Sequence, residues 1–293
     1  MKRIKHYDGN SQDFHDEVVG NKRHHPTDPG YKSRIRDLKS ISEKRFRKYD
    51  GKFETNKLQE IEEIDYSNRQ RADFQSLYQF DVEPFPKLYI ELSKDERGRK
   101  YPYCPLCDME GTSSFDHILP QSKFPEFSDH PLNLVRSCQL CNGKKSANWK
   151  EGDRRRYLNL YIDEIPDVQF LFVKVEIDDE DGSFSVQFTV DNRNGIDADL
   201  FRMIHNHFDD LDICTRYNNG ASEVISTLQD DIVVNLDLGA SKEDIKSSVI
   251  TKCNREQARN GINYWRAILK KACVEDEKIF DYIIDKSAAG VDM

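Results

Sequence analysis

Seven cysteines stand at positions 104, 107, 138, 141, 214, 253 and 273, and four of them are paired as Cys104-Pro-Leu-Cys107 and Cys138-Gln-Leu-Cys141. In a C-x-x-C pair the intervening residues turn the backbone so that both sulfurs face one ion. Two such pairs supply the four thiolates of a tetrahedral structural zinc. The pairs are separated by 30 residues, more than in an ordinary zinc ribbon, so the zinc is expected to close the base of an inserted structure. The other three cysteines lack this spacing. Cys253 falls on an apolar helical stripe, Cys273 lies at the end of a helical region and Cys214 has no partner nearby in sequence, so all three read as core residues. An odd count with no export signal argues against a disulfide framework.

Between the pairs runs SSFDHILPQSKFPEFSDHPLNLVRS, and after the last cysteine comes NGKKSANW. This segment resembles the HNH nuclease family, whose ββα-metal core carries an Asp-His at the end of one strand, a central Asn, and a His or Asn opening the helix. The matching residues are Asp116, His117, Asn133 and Asn142. Leu119-Pro120 after Ile118, Asn-Leu-Val before Cys138, and Lys144 and Lys145 after Cys141-Asn142 also fit. The resemblance covers about residues 101–150.

The chemistry is consistent with that resemblance. Phosphodiester hydrolysis needs a water deprotonated in line with the leaving oxygen and a cation to offset charge on the phosphate. An imidazole titrates near neutrality, so His117 suits a general base. Asp116 offers a hard oxygen to Mg²⁺ or Mn²⁺, and the amide of Asn142 offers a second. Successive strand residues point to opposite faces, so a twist or bulge is expected to bring Asp116 and His117 to one phosphate. The resemblance implies that Asn133 orients the loop or His117 without touching metal, and that cleavage leaves a 5′-phosphate and a 3′-hydroxyl. At position 142 the chain departs from the literal H-N-H letters by carrying Asn. Taken singly, Asp-His reads as a surface pair, Asn133 as a turn residue and Asn142 as a helix cap. Their order between and beside two metal-binding pairs points to a nuclease core. His130 lies in the same loop, where a solvent-facing role explains it equally well. His205 and His207 form an H-x-H inside a helical-looking LFRMIHNHF and read as packing or surface residues.

These side chains must be carried by an acidic protein. Net charge is −9, mean hydropathy is −0.79, and 33% of residues are charged. The charge is uneven: residues 1–160 hold 30 basic and 26 acidic side chains, and residues 161–293 hold 14 and 27. Around the cysteine box, Arg136, Lys144, Lys145, Lys150, Arg154, Arg155 and Arg156 supply the phosphate attraction expected of a DNA-cutting enzyme. A basic amphipathic helix from Asp28-Pro29 to about Tyr49 either extends that track or is a solvated face. No window approaches the ~18 apolar residues of a membrane span. The start turns acidic where a signal peptide would turn apolar, which points to a cytoplasmic protein.

The expected fold class is α+β: an HNH core with structural zinc, a helical N-terminal arm and a mixed C-terminal domain. Three regions are expected, a helical basic 1–100, the nuclease core with its zinc at 101–160, and an acidic 161–293 that could face a partner. A helix is expected at 68–80, a strand at KLYIEL, a β-hairpin at 170–177 and 183–190, and helices after Ser241, at 255–272 and at 276–286. The layout loosely resembles bacterial anti-phage defence nucleases such as the nuclease subunit of Septu-type systems. That implies an ATPase partner and a role against foreign DNA. The leading expectation is thus a metal-dependent DNA endonuclease with structural Zn²⁺ and catalytic Mg²⁺ or Mn²⁺. A catalytically silent zinc module that binds nucleic acid or a partner, and an RNA-directed nuclease, are the alternatives.

Overall fold

In a computed structural model of the chain, residues 1–23, 27–95, 98–178, 180 and 182–288 are described. The chain divides into two compact units, Arg3–Glu164 and Ile165–Met293, the latter joined by Met1–Lys2.

The first unit opens with α1 (Ser11–Asn21), capped by the Asn10 side chain, which accepts the N–H groups of Gln12 and Asp13. The single basic helix expected up to Tyr49 is two helices, α2 (Tyr31–Asp37) and α3 (Lys39–Glu54), meeting at the buried Leu38. Ile35 and Leu38 pack in one apolar cluster with Phe14, Phe74, Phe85 and Phe115. Phe46, Tyr49 and Phe53 pack in another with Leu119, Phe124, Phe127 and Trp149. The change of direction lets the two helices serve different clusters. α4 (Asn68–Gln75) starts on a Ser67–Gln70 capping box and ends sooner than the pattern suggests. The segment read as a strand is α5 (Phe85–Leu92). Pro86 sits in its first turn, where a missing N–H costs nothing, and Phe85, Leu88 and Leu92 form a helical stripe into the core.

Strand β1 (Ser114–His117) pairs antiparallel with β2 (Leu134–Ser137), with Asp116 opposite Val135 and His117 opposite Leu134. Helix α6 (Gln139–Lys145) follows at once, its N-cap being Cys138. A two-residue hairpin, β3 (Lys150–Glu151) and β4 (Arg154–Arg155), turns at Gly152, whose φ of +59° favours glycine. The N-terminal helices and the cysteine-bearing segment thus share one pair of cores.

The second unit holds the hairpin as expected, β5 (Leu171–Ile177) with β6 (Phe184–Val190). Positions 179 and 181 of its acidic turn, 96 and 97 of the polar turn after α5, and the tail beyond 288 lie outside the described residues. Six helices follow: α7 (Ala198–Asp210), α8 (Ile213–Asn219), α9 (Ala221–Asp237), α10 (Lys242–Asn260), α11 (Trp265–Glu275) and α12 (Glu277–Ala288). The helix expected across 255–272 is interrupted at Gly261, whose φ is +98°. A Cβ there would come within 2.4 Å of the Met1 carbonyl oxygen, so no other residue fits without local rearrangement. Tyr217 stacks on Trp265 at 4.7 Å in this core, where Cys253 and Cys273 are buried as expected. The fold is mixed, mostly helical with three two-stranded sheets among the described residues. No described helix is long and apolar enough to cross a membrane.

Candidate metal centre and candidate active site

The four paired cysteines meet. Their sulfurs all lie within 4.8 Å of one another and all four residues are buried. A tetrahedral zinc with Zn–S bonds of about 2.3 Å sets its sulfurs about 3.8 Å apart, so the donor set and spacing suit a structural metal such as zinc. Cys104 and Cys107 sit in a tight turn in which Cys107 and Asp108 both donate their N–H to the Cys104 carbonyl. Asp108 closes it at a φ of +53°. The second pair opens α6, where the Cys141 N–H donates to the Cys138 sulfur at 3.4 Å. Hydrogen bonding among the packed sulfurs lowers the Cys107 and Cys138 thiols and drives Cys104 far up. Four buried thiols cannot ionise together without a cation among them.

Beside this cluster, β1, β2 and α6 carry the polar set. Asn133 is fully buried and uses all of its amide. Its Nδ2 donates to the carbonyls of Leu119 (3.1 Å) and Phe127 (3.0 Å). Its Oδ1 accepts from the Leu119 N–H (2.7 Å) and the Tyr49 hydroxyl (3.1 Å). It staples the long β1–β2 loop shut.

His117 ends β1 and is half-buried. Its Nε2 lies 2.9 Å from the Ser128 carbonyl oxygen, which can only accept, so Nε2 carries the proton. Nδ1 keeps its lone pair and makes no hydrogen bond among the described residues. Burial pushes the imidazole below its ordinary pKa of 6.5, against opposing help from the Ser128 carbonyl and Asp116. His117 is therefore neutral at pH 7. The Tyr78 ring meets it edge-on at 4.9 Å, and burial pushes the Tyr78 hydroxyl up to about 12.

The β1–β2 ladder runs without a bulge through Asp116 and His117. Of the expected twist or bulge, the regular register leaves out the bulge. Lys145 spans the two residues: its buried ammonium donates to the His117 carbonyl at 2.6 Å and stands 2.9 Å from Asp116 Oδ2. That second contact is an ion pair off the line of a hydrogen bond, and Asp116 Oδ2 is buried without a hydrogen-bond partner. Asn142, half-buried on α6, directs its Nδ2 at the Phe115 carbonyl at 3.5 Å, next to Asp116 on β1. Asp116 Oδ2 and the Asn142 amide are hard oxygen donors of the type Mg²⁺ or Mn²⁺ takes, with the Lys145 ammonium paired to the carboxylate.

The cations assigned to phosphate divide in two. Arg136 is buried, donating to the carbonyls of Leu92 and Tyr101 and to the Thr112 hydroxyl. Arg155 is buried in a forked pair with Asp163, reaching Asn56 as well. With Lys145, these three are structural contacts inside the unit, which corrects their assignment to DNA. Lys144 and Arg154 are exposed, and Lys150 and Arg156 half-buried. The basic N-terminal helices are likewise partly spent internally: Arg34 bridges Asp28 and Asp73, and Arg45 is buried against Glu126. His130 faces no solvent; it is fully buried between Phe46 and Tyr49.

Sequence reasoning missed Lys145 as the partner of Asp116, the Ser128 carbonyl and the Tyr78 ring. The run FPEFSDH did carry a signal, since three ionisable residues beside two phenylalanines and a proline need partners if the loop folds inward.

Among known proteins, the chain is similar to "Protein ea31" of Escherichia phage lambda. It is 30% identical over 189 residues, covering 60% of this chain and 63% of that protein. The chain thus spans less than two thirds of that relative. No family model matches the chain, and no solved structure matches it.

Proposed function

We propose that the chain is a metal-dependent endonuclease of the HNH type, acting on DNA. The observation that carries this reading is the state of His117. It is a neutral imidazole with Nε2–H committed to a backbone carbonyl and Nδ1 left as a base, one residue from a carboxylate whose buried Oδ2 accepts no hydrogen bond and faces the Lys145 ammonium.

Asp116 Oδ2 and Asn142 Oδ1 would hold the ion. Bound there, Mg²⁺ or Mn²⁺ offsets charge on the scissile phosphate and on the leaving oxygen. His117 Nδ1 takes the proton of the attacking water, and the positive charge it gains is balanced through Nε2 and the Ser128 carbonyl. Asn133 keeps the loop that presents Ser128 in register. Lys144, Lys150, Arg154 and Arg156 draw in the backbone irrespective of sequence. Zinc held by the four cysteines would fix the start of α6, and with it Asn142, against β1.

The Lys145–Asp116 ion pair favours a second reading, a silent module whose ammonium permanently takes the cation's place. Both are tested by incubating the zinc-loaded chain at low salt with supercoiled plasmid, and separately with structured RNA, in Mg²⁺, Mn²⁺ or chelator. Metal-dependent nicking of plasmid supports the nuclease. RNA cleavage without DNA cleavage shifts the substrate, and retention of DNA with no cutting in any metal supports the silent module.

A further inference from the structure

The loop that presents the Ser128 carbonyl is built in an unusual way. Residues 126, 128, 129 and 130 are polar or ionisable, and every one is fully buried. Each of the three ionisable members meets a partner from an N-terminal helix. Glu126 accepts from Arg45 Nε of α3 at 2.8 Å. Asp129 Oδ2 lies 2.6 Å from His15 Nδ1 of α1, both groups being shut off from water. His130 Nε2 stands 3.2 Å from Asp50 of α3, whose carboxylate also accepts from the Ser11 hydroxyl. None of these side chains is needed for the chemistry proposed above.

Buried ion pairs are a poor way to stabilise a loop, because desolvation consumes most of the attraction and apolar residues of similar volume serve as well. What they add is registry, since one placement satisfies the Arg45–Glu126 and His15–Asp129 pairs and any slip leaves buried charges bare. Ser128 lies between Glu126 and Asp129. Its own hydroxyl is tied back to the Pro125 carbonyl at 2.6 Å, so the direction of the peptide joining Ser128 to Asp129 is set by what holds Asp129. That peptide's oxygen is the one 2.9 Å from His117 Nε2.

We propose that His15 and Asp129 are positioning residues for His117: their buried pair fixes the Ser128–Asp129 peptide so that its carbonyl holds the Nε2–H and leaves Nδ1 as the base. This rests on the nuclease reading only for the use made of Nδ1; the Nε2–H···Ser128 bond belongs to the folded chain whatever it cuts. The helical N-terminal region is then part of the active-site scaffold.

The test follows the His117 ring by ¹⁵N-edited NMR on the zinc-loaded full chain, alongside cleavage. His15→Leu combined with Asp129→Leu removes both partners of the pair, and the buried Lys22 ammonium that Asp129 also faces keeps its bond to the Ser76 carbonyl. Its His117 Nε2–H is expected to lose its slow exchange, and kcat to fall about 10–100-fold, the usual cost of removing an orienting partner, with KM for DNA unchanged. His15→Asn places an amide N–H near the position of Nδ1 and is expected to keep both. Should the double variant fail to fold, His15→Leu combined with Asp129→Asn, which keeps the volume at 129 and removes the pair, is read the same way. A folded variant without the pair that retains a protected His117 Nε2–H overturns the proposal, as does loss of that protection in a folded His15→Asn chain. If the ring behaves as expected while the wild-type chain cuts nothing, the positioning stands and the nuclease reading falls.

Discussion

Asn133→Ala is expected to loosen the β1–β2 loop, and its cost follows from which partners are left bare. Of the four groups bonded to the Asn133 amide, two have a second partner. The Tyr49 hydroxyl also reaches the Leu132 carbonyl, and the Phe127 carbonyl also accepts from the His130 N–H. The N–H and carbonyl of Leu119 have no other partner among the described residues, and Leu119 is fully buried. Each buried backbone group left unsatisfied costs about 1–3 kcal/mol, so the substitution should remove about 2–6 kcal/mol. For a unit of this size about 1 kcal/mol shifts Tm by about 2–4 °C, so melting should drop by at least several degrees. Urea unfolding read by Trp149, which lies in the same cluster as Tyr49 and Phe127, measures it in a Trp265→Phe background that silences the second unit. Asn133→Asp should also be costly, because it loses both donors and points a carboxylate at two carbonyls. A loss below about 0.5 kcal/mol for Asn133→Ala, the level of an ordinary surface change, would refute the staple.

Three further predictions concern the metal centre, the base and the cations. Cys138→Ser should lower bound zinc from one equivalent towards none and destabilise the first unit, as metal analysis and thermal melting would register; a full equivalent in the variant would refute the four-sulfur cluster. Because burial holds His117 below 6.5, its base form predominates at pH 7 and is lost as pH falls through the lowered value. The acid limb of kcat should therefore lie below pH 6.5, and a limb above pH 7 would contradict the assignment. Arg155→Ala should lower Tm by stranding the buried Asp163 and leave the salt dependence of DNA binding unchanged. Lys144→Ala should reduce the slope of log affinity against log salt by about 1, and an unchanged slope there beside a reduced one for Arg155→Ala would contradict the division of cations.

Much of the arrangement was legible because the residues involved signal locally. C-x-x-C spacing states its own geometry, and the alternating FLFVKVEI and SFSVQFTV runs specify a hairpin. The misreadings have equally local causes. KLYIEL is apolar enough for a strand, and only the prolines before it, which start a helix as readily as they end one, decide in favour of α5. The division at Leu38 depends on two apolar clusters assembled from distant segments, which periodicity cannot see. The basic cluster misled because charge alone does not say where a side chain points. Arg136 and Arg155 are drawn inward by acceptors that only the fold brings to them, Thr112 in one case and Asp163 with Asn56 in the other. His130 looked like a loop histidine, and the aromatic rings of α3 that enclose it stand more than eighty residues earlier in the chain.

The most direct test of the central claim is plasmid cleavage in Mg²⁺ or Mn²⁺ by the wild-type chain beside His117→Ala, with zinc content and melting temperature measured on both. We predict nicking by the wild type, abolished by chelator and absent from a variant that keeps its zinc and its fold. Cutting by His117→Ala at the wild-type rate would remove His117 from the chemistry and contradict the assignment of Nδ1 as the base.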